Sequence, residues 1–444
     1  MKNYNVIINK KIKPFNKIIK VDSDKSISIR SLLIGAISQN ISTIKNILKS
    51  EDVMDTIKCL QKLGVKIVKK KSAISVYGKG IGSLYAKQNT ELNFGNSGTL
   101  ARLLIGLLST TPNIKLKLNG DHSLKKRSMK KLITIMNKFG ASFYPKKKYH
   151  FPLKIISSNM PIGIKYEAGV SAQLKSATIF AGLNSYGLTK ILEREKSRDH
   201  TEKMLSHNKE VIKTNKILDT IEINGKKTLK PINVNVFGDP SSAAFFTALT
   251  ILKKNSSLKI LNVGLNPKRI GFYQLLKKHG ANIKFKNMRK KNGELSGDII
   301  VKFSNLKPIR ASKKYYVHAT DEYPILFIIA ACTKGTSVFS GIKDLANKES
   351  NRIKEMQKIL NQIDIKNNAT KDRLKIYGKK LSDKNEKKVL VQNLGDHRIC
   401  MSSFILAILT GAKTKIKNFE TVNTSSPSFL KIMRNIGAKF EIKK

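Results

Sequence analysis

Six times along this chain an apolar helical pattern stops at a residue suited to a left-handed backbone, and an alternating strand pattern begins. Four copies are plain: LQKLGVKIV at Leu60–Val68, MNKFGASF at Met136–Phe143, LKKHGANIKF at Leu276–Phe285 and MRNIGAKFEI at Met433–Ile442. Two weaker copies centre on Asn208 in MLSHNKEVI and on Asp364 in ILNQIDIKN. Glycine takes the left-handed conformation that ends a helix at little steric cost, and the alternation after it reads as a strand. The markers at 64, 140, 208, 280, 364 and 437 lie 68 to 84 residues apart, so six units of about 74 residues fill the 444. A second series, Ser26, Ser97, Ser171, Ser241, Asp321 and Asp396, precedes apolar helical runs at intervals of 70 to 80, and Ser and Asp are good helix N-caps.

Each unit also carries short alternating strands, such as ISVYG at Ile74–Gly78 and IKLKLNG at Ile114–Gly120. Two helices and three or four strands per unit is too much for one solenoid coil, and six units exceed one core. The expected fold is therefore α/β, with three units packed in each of two domains. An apolar content of 40% supplies real cores and excludes a disordered basic arm.

Lys and Arg outnumber Asp and Glu 85 to 30, a formal charge of +55, so anions are the natural ligands: nucleic acid, acidic lipid or small polyanions. The longest apolar run, Ile325–Cys332, is far too short to span a membrane, and the N-terminus lacks a signal-peptide core. Cys59, Cys332 and Cys400 form no CxxC pair, which points away from disulfides and metal and toward a reducing cytoplasm. The Lys-rich stretches Lys69–Lys71, Lys146–Lys148, Arg289–Lys291 and Lys379–Lys388 read as exposed turns.

Chemistry concentrates where the second helix series begins, because unpaired N–H groups and the helix dipole favour negative charge there. The segments read DKSISIR (Asp24–Arg30), GNSGTLAR (Gly95–Arg102), VSAQLKSA (Val170–Ala177), DPSSAA (Asp239–Ala244), DEYP (Asp321–Pro324) and GDHR (Gly395–Arg398). Only 12 of the basic residues are Arg, yet Arg30, Arg102, Arg127, Arg198, Arg352 and Arg398 fall in these segments or in GDHSLKKRSM, SRDHTEKM and NKESNR. Planar forks suit carboxylate and phosphate oxygens, so several repeats are read as building one polyanion pocket. Acids are scarce, which makes Asp321 and Glu349 candidates for general base and general acid, with a structural salt bridge as the plainer alternative.

In this order and over essentially the whole chain, DKSISIRSLLIGA, GNSGTLARLL, GDHSLKKR, SAQLKSA, SRDHTEKML, GDPSSAAFF, DEYPI, KESNR and GDHRICM resemble the 5-enolpyruvylshikimate-3-phosphate synthase family. The resemblance implies the enolpyruvyl transferase fold: two domains of three βαβαββ units, an inverse α/β barrel-like arrangement with helix N-termini aimed at an interdomain cleft. It implies domains at residues 22–238 and at 1–21 plus 239–444, hinged near Val21 and Gly238 and closing when substrate binds. The implied reaction moves the enolpyruvyl group of phosphoenolpyruvate to the 5-hydroxyl of shikimate 3-phosphate, releasing phosphate on the route to chorismate and the aromatic amino acids. It needs no metal or organic cofactor, no specific nucleic acid and no membrane, and the family's usual form is a cytoplasmic monomer. Lys25, Ser26, Arg30, Ser171, Ala172, Gln173, Arg198, Asp321 and Lys348 would hold shikimate 3-phosphate. Lys25, Asn96, Gly98, Arg127, Gln173, Arg352 and Arg398 would hold phosphoenolpyruvate, with Arg102 lining the same site. Asp321 would be the base, and Glu349 with Lys25 the acid.

The chain departs from the family pattern at Ile29, Ser128, Asn351 and Leu345-Ala346-Asn347, and Thr424 stands where some members carry a Lys that reaches phosphoenolpyruvate. Gly98 stands where some glyphosate-insensitive members have Ala, so inhibition by glyphosate is expected. Two alternatives follow. One is the related UDP-N-acetylglucosamine enolpyruvyl transferase, which uses a loop Cys, whereas the three Cys here lie in apolar helix-like runs. The other is a non-enzymatic polyanion or nucleic-acid binder, against which stand the absent Trp, 7% aromatics and arginines clustered by repeat.

Overall fold

The computed structural model describes residues 3–380, 387–392 and 395–444, so most of the Lys379–Lys388 stretch lies outside the described residues. Two compact units form: an N-terminal one of Ser23–Phe237 with Lys290–Glu294, and a C-terminal one of Met1–Asp22, Gly238–Arg289 and Leu295–Lys444. Among the described residues each holds three four-stranded sheets, and all six share one topology, with a parallel first pair and an antiparallel second.

The chain closes each unit by returning a distant strand. In the N-terminal unit, Asn233–Asn235 pairs in parallel with Ile41–Lys45. In the C-terminal unit, Asn16–Ile19 pairs with Ser257–Gly264, and Asn5–Ile8 lies between Lys413–Ile416 and Glu441–Lys443, with Val6 opposite Ile416 and Ile442.

Helices differ by position because their sequences differ in pattern. Lys25–Ile37, Gly98–Ser109 and Ala172–Leu183 in one unit, and Pro240–Leu252, Tyr323–Ala331 and His397–Thr410 in the other, are apolar nearly all round and are buried in the cores. The helices that lead into the first markers, for example Glu51–Lys62 and Arg352–Asn361, keep one apolar stripe and turn Lys and Gln outward. They end where the repeat markers predicted. Gly64, Gly140, Gly280, Gly437 and Asp364 all have φ between 54° and 109°. Asn208 has no positive φ; its amide instead donates to the Leu205 carbonyl and its side-chain oxygen accepts from the Lys230 amide.

A third repeat marker escaped the sequence reading: Gly78, Gly225 and Gly378, each followed by Lys. A Cβ on these glycines would fall within 2.8 Å of helix-terminal carbonyls of Gly35 and Ser38, Gly182 and Ser185, or Ala330 and Thr333. The following Lys amides donate to Ala36, Leu183 and Ala331 carbonyls at 2.9, 2.9 and 3.1 Å, satisfying helix ends that would otherwise be buried without partners.

Candidate active site

Backbone capping sets where the functional side chains start. Ser97, Ser171 and Asp396 cap their helices as expected. The expectation is corrected at three others: Asp24, not Ser26, caps Lys25–Ile37; Asp239, not Ser241, caps Pro240–Leu252; and Glu322, not Asp321, occupies the N-cap of Tyr323–Ala331. A carboxylate two residues earlier wins the cap in the first and second cases. It accepts the Ile27 amide at 2.8 Å and the Ser241 amide at 2.7 Å, leaving Ser26 and Ser241 in the first turn.

In the N-terminal unit, two guanidinium groups converge on the start of Gly98–Ser109. A Cβ at Gly98 would meet Arg102 Nη1 at 2.7 Å and Arg127 Nη1 at 2.9 Å, so glycine here keeps the backbone within reach of both. Arg127 is held by Asn96 Oδ1 at 2.8 Å and Ser123 Oγ at 3.2 Å, while Asn96 donates to Asp121. Arg102 donates to Gln173 Oε1 at 3.0 Å, and Gln173 donates to Thr99 Oγ1 at 2.9 Å. Asn96, Gly98, Arg102, Arg127 and Gln173 are thereby brought into one cationic cluster beside two helix N-termini, the arrangement that suits a small anion.

Lys25 opens its helix with Nζ 2.9 Å from Asp52. Arg30 is buried, and its three nitrogens donate to Thr201 Oγ1, the Ser26 carbonyl and Ser176 Oγ. Burial lowers its pKa to about 10, with Arg198 pushing the same way against Glu202 and Asp24. Ser171 and Ala172 form the start of the helix that carries Gln173. Deeper in that helix lies an ion cluster missing from the sequence reading: Lys175, fully buried, sits 2.5 Å from Glu193 and 2.6 Å from Glu202. Burial pulls the Lys175 pKa down, but the two carboxylates prevail and raise it.

In the C-terminal unit the hub is Arg352, 1% exposed. Its Nε and Nη2 grip Asp396 at 2.9 and 3.3 Å, Nη2 donates to Glu349 Oε2 at 2.7 Å, and Nη1 lies 3.8 Å from Asp321 Oδ1. Burial would lower its pKa, and Asp396, Glu349 and Asp321 together raise it, so it is permanently charged. Asp396 also receives Ser350 Oγ at 3.0 Å and the Arg398 amide at 2.9 Å. Arg398 is buried with its guanidinium over the Phe245 ring, and among the described residues its Nε and Nη1 have no hydrogen-bond partner. Lys348 directly follows the short helix Lys343–Asn347. The Thr424 hydroxyl donates to the Thr421 carbonyl of its own turn.

Five of the twelve arginines, but among described residues only one lysine, Lys175, are buried. Arg269 is the buried arginine that the motif search passed over; it contacts Asp239, Ser241, Glu322 and Asp321. A signal was present in NPKRIG, where Asn266 accepts the Lys268 amide and holds the turn.

The fold is shared with the enolpyruvyl transferase NikO from Streptomyces tendae, which superposes with a TM-score of 0.78 over 100% of this chain and 99% of its own, at 12% identity. A profile of the EPSP synthase family, 3-phosphoshikimate 1-carboxyvinyltransferase, matches residues 9–433. A 3-phosphoshikimate 1-carboxyvinyltransferase of Zymomonas mobilis is 36% identical over 443 residues, covering 98% of this chain and 97% of its own. The structure of EPSP synthase from Acinetobacter baumannii aligns at a TM-score of 0.84 and 34% identity over 99% of this chain and 100% of its own. The chain belongs to the EPSP synthase family.

Proposed function

We propose that the protein transfers the enolpyruvyl group of phosphoenolpyruvate to the 5-hydroxyl of shikimate 3-phosphate. The observation that carries this reading is the pair Asp321 and Glu349 on one buried guanidinium, Arg352. Two partly exposed carboxylates oriented by a fixed cation are what an addition followed by an elimination needs. Asp321 takes the proton of the attacking hydroxyl as its oxygen bonds to C2 of phosphoenolpyruvate, and Glu349 with Lys25 delivers a proton to C3. The ketal then loses phosphate as the C2–O bond breaks and a C3 proton leaves, which restores the double bond. Arg102 and Arg127 in the N-terminal unit, where Asn96, Gly98 and Gln173 lie beside them, and Arg352 and Arg398 in the C-terminal unit balance phosphate and carboxylate charge. Shikimate 3-phosphate falls to Lys25, Ser26, Arg30, Ser171, Ala172, Gln173, Arg198, Asp321 and Lys348.

The three thiols, Cys59 and Cys400 buried and Cys332 half-buried, support this reading over the UDP-N-acetylglucosamine reaction. Burial pushes Cys59 and Cys332 up to about 12 and raises Cys400 as well, so none offers a thiolate at neutral pH. The same reading takes the protein as a cytoplasmic monomer, and no helix among the described residues is long and apolar enough to cross a membrane.

The test is phosphate release from phosphoenolpyruvate with and without shikimate 3-phosphate, in wild type and Asp321→Asn. Release that needs both substrates, is inhibited by glyphosate and falls by about 10²- to 10⁴-fold in the variant is expected. Release with UDP-N-acetylglucosamine instead, or full activity in the variant, would sink the assignment.

A further inference from the structure

We propose that Arg269 is a positioning residue for the proton-accepting carboxylate, fixing Asp321 by the oxygen other than the one Arg352 faces. The inference rests on the function proposed above.

Asp321 presents each carboxylate oxygen to a different guanidinium: Oδ1 lies 3.8 Å from Arg352 Nη1 and Oδ2 lies 3.7 Å from Arg269 Nη1. Arg269 is itself immobilised. Its Nη1 contacts Glu322 Oε1 at 3.0 Å, and its Nη2 donates to Ser241 Oγ at 2.8 Å and reaches Asp239 Oδ1 at 3.4 Å. Ser241 also donates to Glu322. These groups are the caps and first turns of two buried helices, Pro240–Leu252 and Tyr323–Ala331, so the guanidinium ties the two helix starts together. Backbone support comes from the NPKRIG turn, where the Arg269 amide donates to the Asn266 carbonyl at 2.8 Å.

This geometry gives Arg269 two effects on Asp321. It limits rotation of a side chain that is 26% exposed and must aim at a hydroxyl, and it stabilises the ionised form that can accept a proton. The charged or titratable groups facing Asp321 include, among the described residues, Glu322 beside it, Arg352 from the helix Arg352–Asn361, and Tyr316 from the helix Lys313–Ala319. Glu349 and Asp396 act on it through Arg352, and Asp344 acts on Tyr316. None of these replaces the cation on Oδ2.

The experiment uses the full chain and compares wild type, Arg269→Gln and Arg269→Lys by phosphate release from pH 5 to 9, with thermal unfolding alongside. Removing one of two flanking cations raises the pH at which Asp321 ionises. The acid limb of kcat should therefore move upward by about one unit in Arg269→Gln, at the low end for a neighbouring arginine because Arg352 remains. A drop of about 10²-fold in kcat is expected, with KM for phosphoenolpyruvate within about threefold of wild type, since the lost contact orients the base and binds no substrate. Arg269→Lys should recover about tenfold and bring the limb part of the way back. An acid limb that stays within about 0.2 unit of wild type in Arg269→Gln overturns the proposal, whatever happens to kcat, because a merely structural arginine would lower activity without moving it. Should Arg269→Gln not fold, Arg269→Lys decides: lowered kcat with a displaced limb supports the role, and an unmoved limb refutes it. Wild type that releases no phosphate from the two substrates would refute the function and this inference together.

Discussion

Gly106→Ala sets helix propensity against helix packing, and the structure says which wins. Gly106 lies inside Gly98–Ser109, where Ala is favoured over Gly by about 1 kcal/mol. The new Cβ would stand 2.5 Å from the Ala177 carbonyl oxygen and 2.8 Å from Ala177 Cα, backbone atoms of the neighbouring helix that cannot rotate aside. Ordinary contact begins at 3.4 Å, so the two helices must part by up to 0.9 Å. Such overpacking costs about 1–3 kcal/mol. The displacement would also stretch Arg102–Gln173 and Gln173–Thr99, now 3.0 and 2.9 Å, toward the limit of hydrogen bonding, at about 0.5–1.5 kcal/mol each. Net destabilisation is therefore about 3 kcal/mol, which for a unit of this size lowers Tm by about 6–12 °C. Calorimetry measures that fall, and steady-state kinetics should show kcat/KM for phosphoenolpyruvate reduced about tenfold, because Arg102 and Gln173 move with the helices. A Tm equal to or above wild type would refute the packing argument. A lowered Tm with unchanged kinetics would break the link from the helix interface to the cationic cluster.

Lys175→Met strands Glu193 and Glu202 in the core and should cost about 3–5 kcal/mol in urea unfolding, while adding Glu193→Gln and Glu202→Gln recovers most of it. Because the folded Lys175 pKa is raised above 10.5, its contribution is complete below that pH and is lost as pH climbs through the folded value, so wild type, but not the triple variant, should weaken in that alkaline window. Glu294 behaves oppositely: burial would raise its pKa, yet His200 at 2.7 Å and Lys203 hold it below 4.5. Its stabilisation is present above pH 4.5 and lost as pH falls through the lower folded value, so Glu294→Gln should flatten the acid limb of a stability–pH curve; an unchanged limb would show the pair to be neutral.

Much of the fold was legible because it is local and repeated. A glycine after an apolar helix, or a Ser or Asp before one, answers to backbone sterics and orphaned N–H groups within a few residues, so Gly64, Gly140, Ser97 and Ser171 could be placed with no knowledge of their neighbours. Capping failed at Ser26 and Ser241 only because a competing carboxylate stood two residues before each. The fork chemistry of arginine likewise singled out Arg102, Arg127 and Arg352 before any contact was known.

Partnership was not legible, since it joins residues far apart in the chain. Nothing in KESNR says that Arg352 grips Asp396, 44 positions on, or that Arg30 turns its donors to Ser176 and Thr201 inside the unit. Arg269 lay outside the helix-start motifs, and although NPKRIG marked a turn, its ion pairing became visible only once Asp239 and Glu322 were brought beside it. The sequence by itself determined the six repeats, their helix ends and the residue types available for anion chemistry, because those follow from short-range sterics and side-chain character. Only the tertiary structure decided which carboxylate faces which guanidinium, because ion pairing depends steeply on distances that packing alone sets.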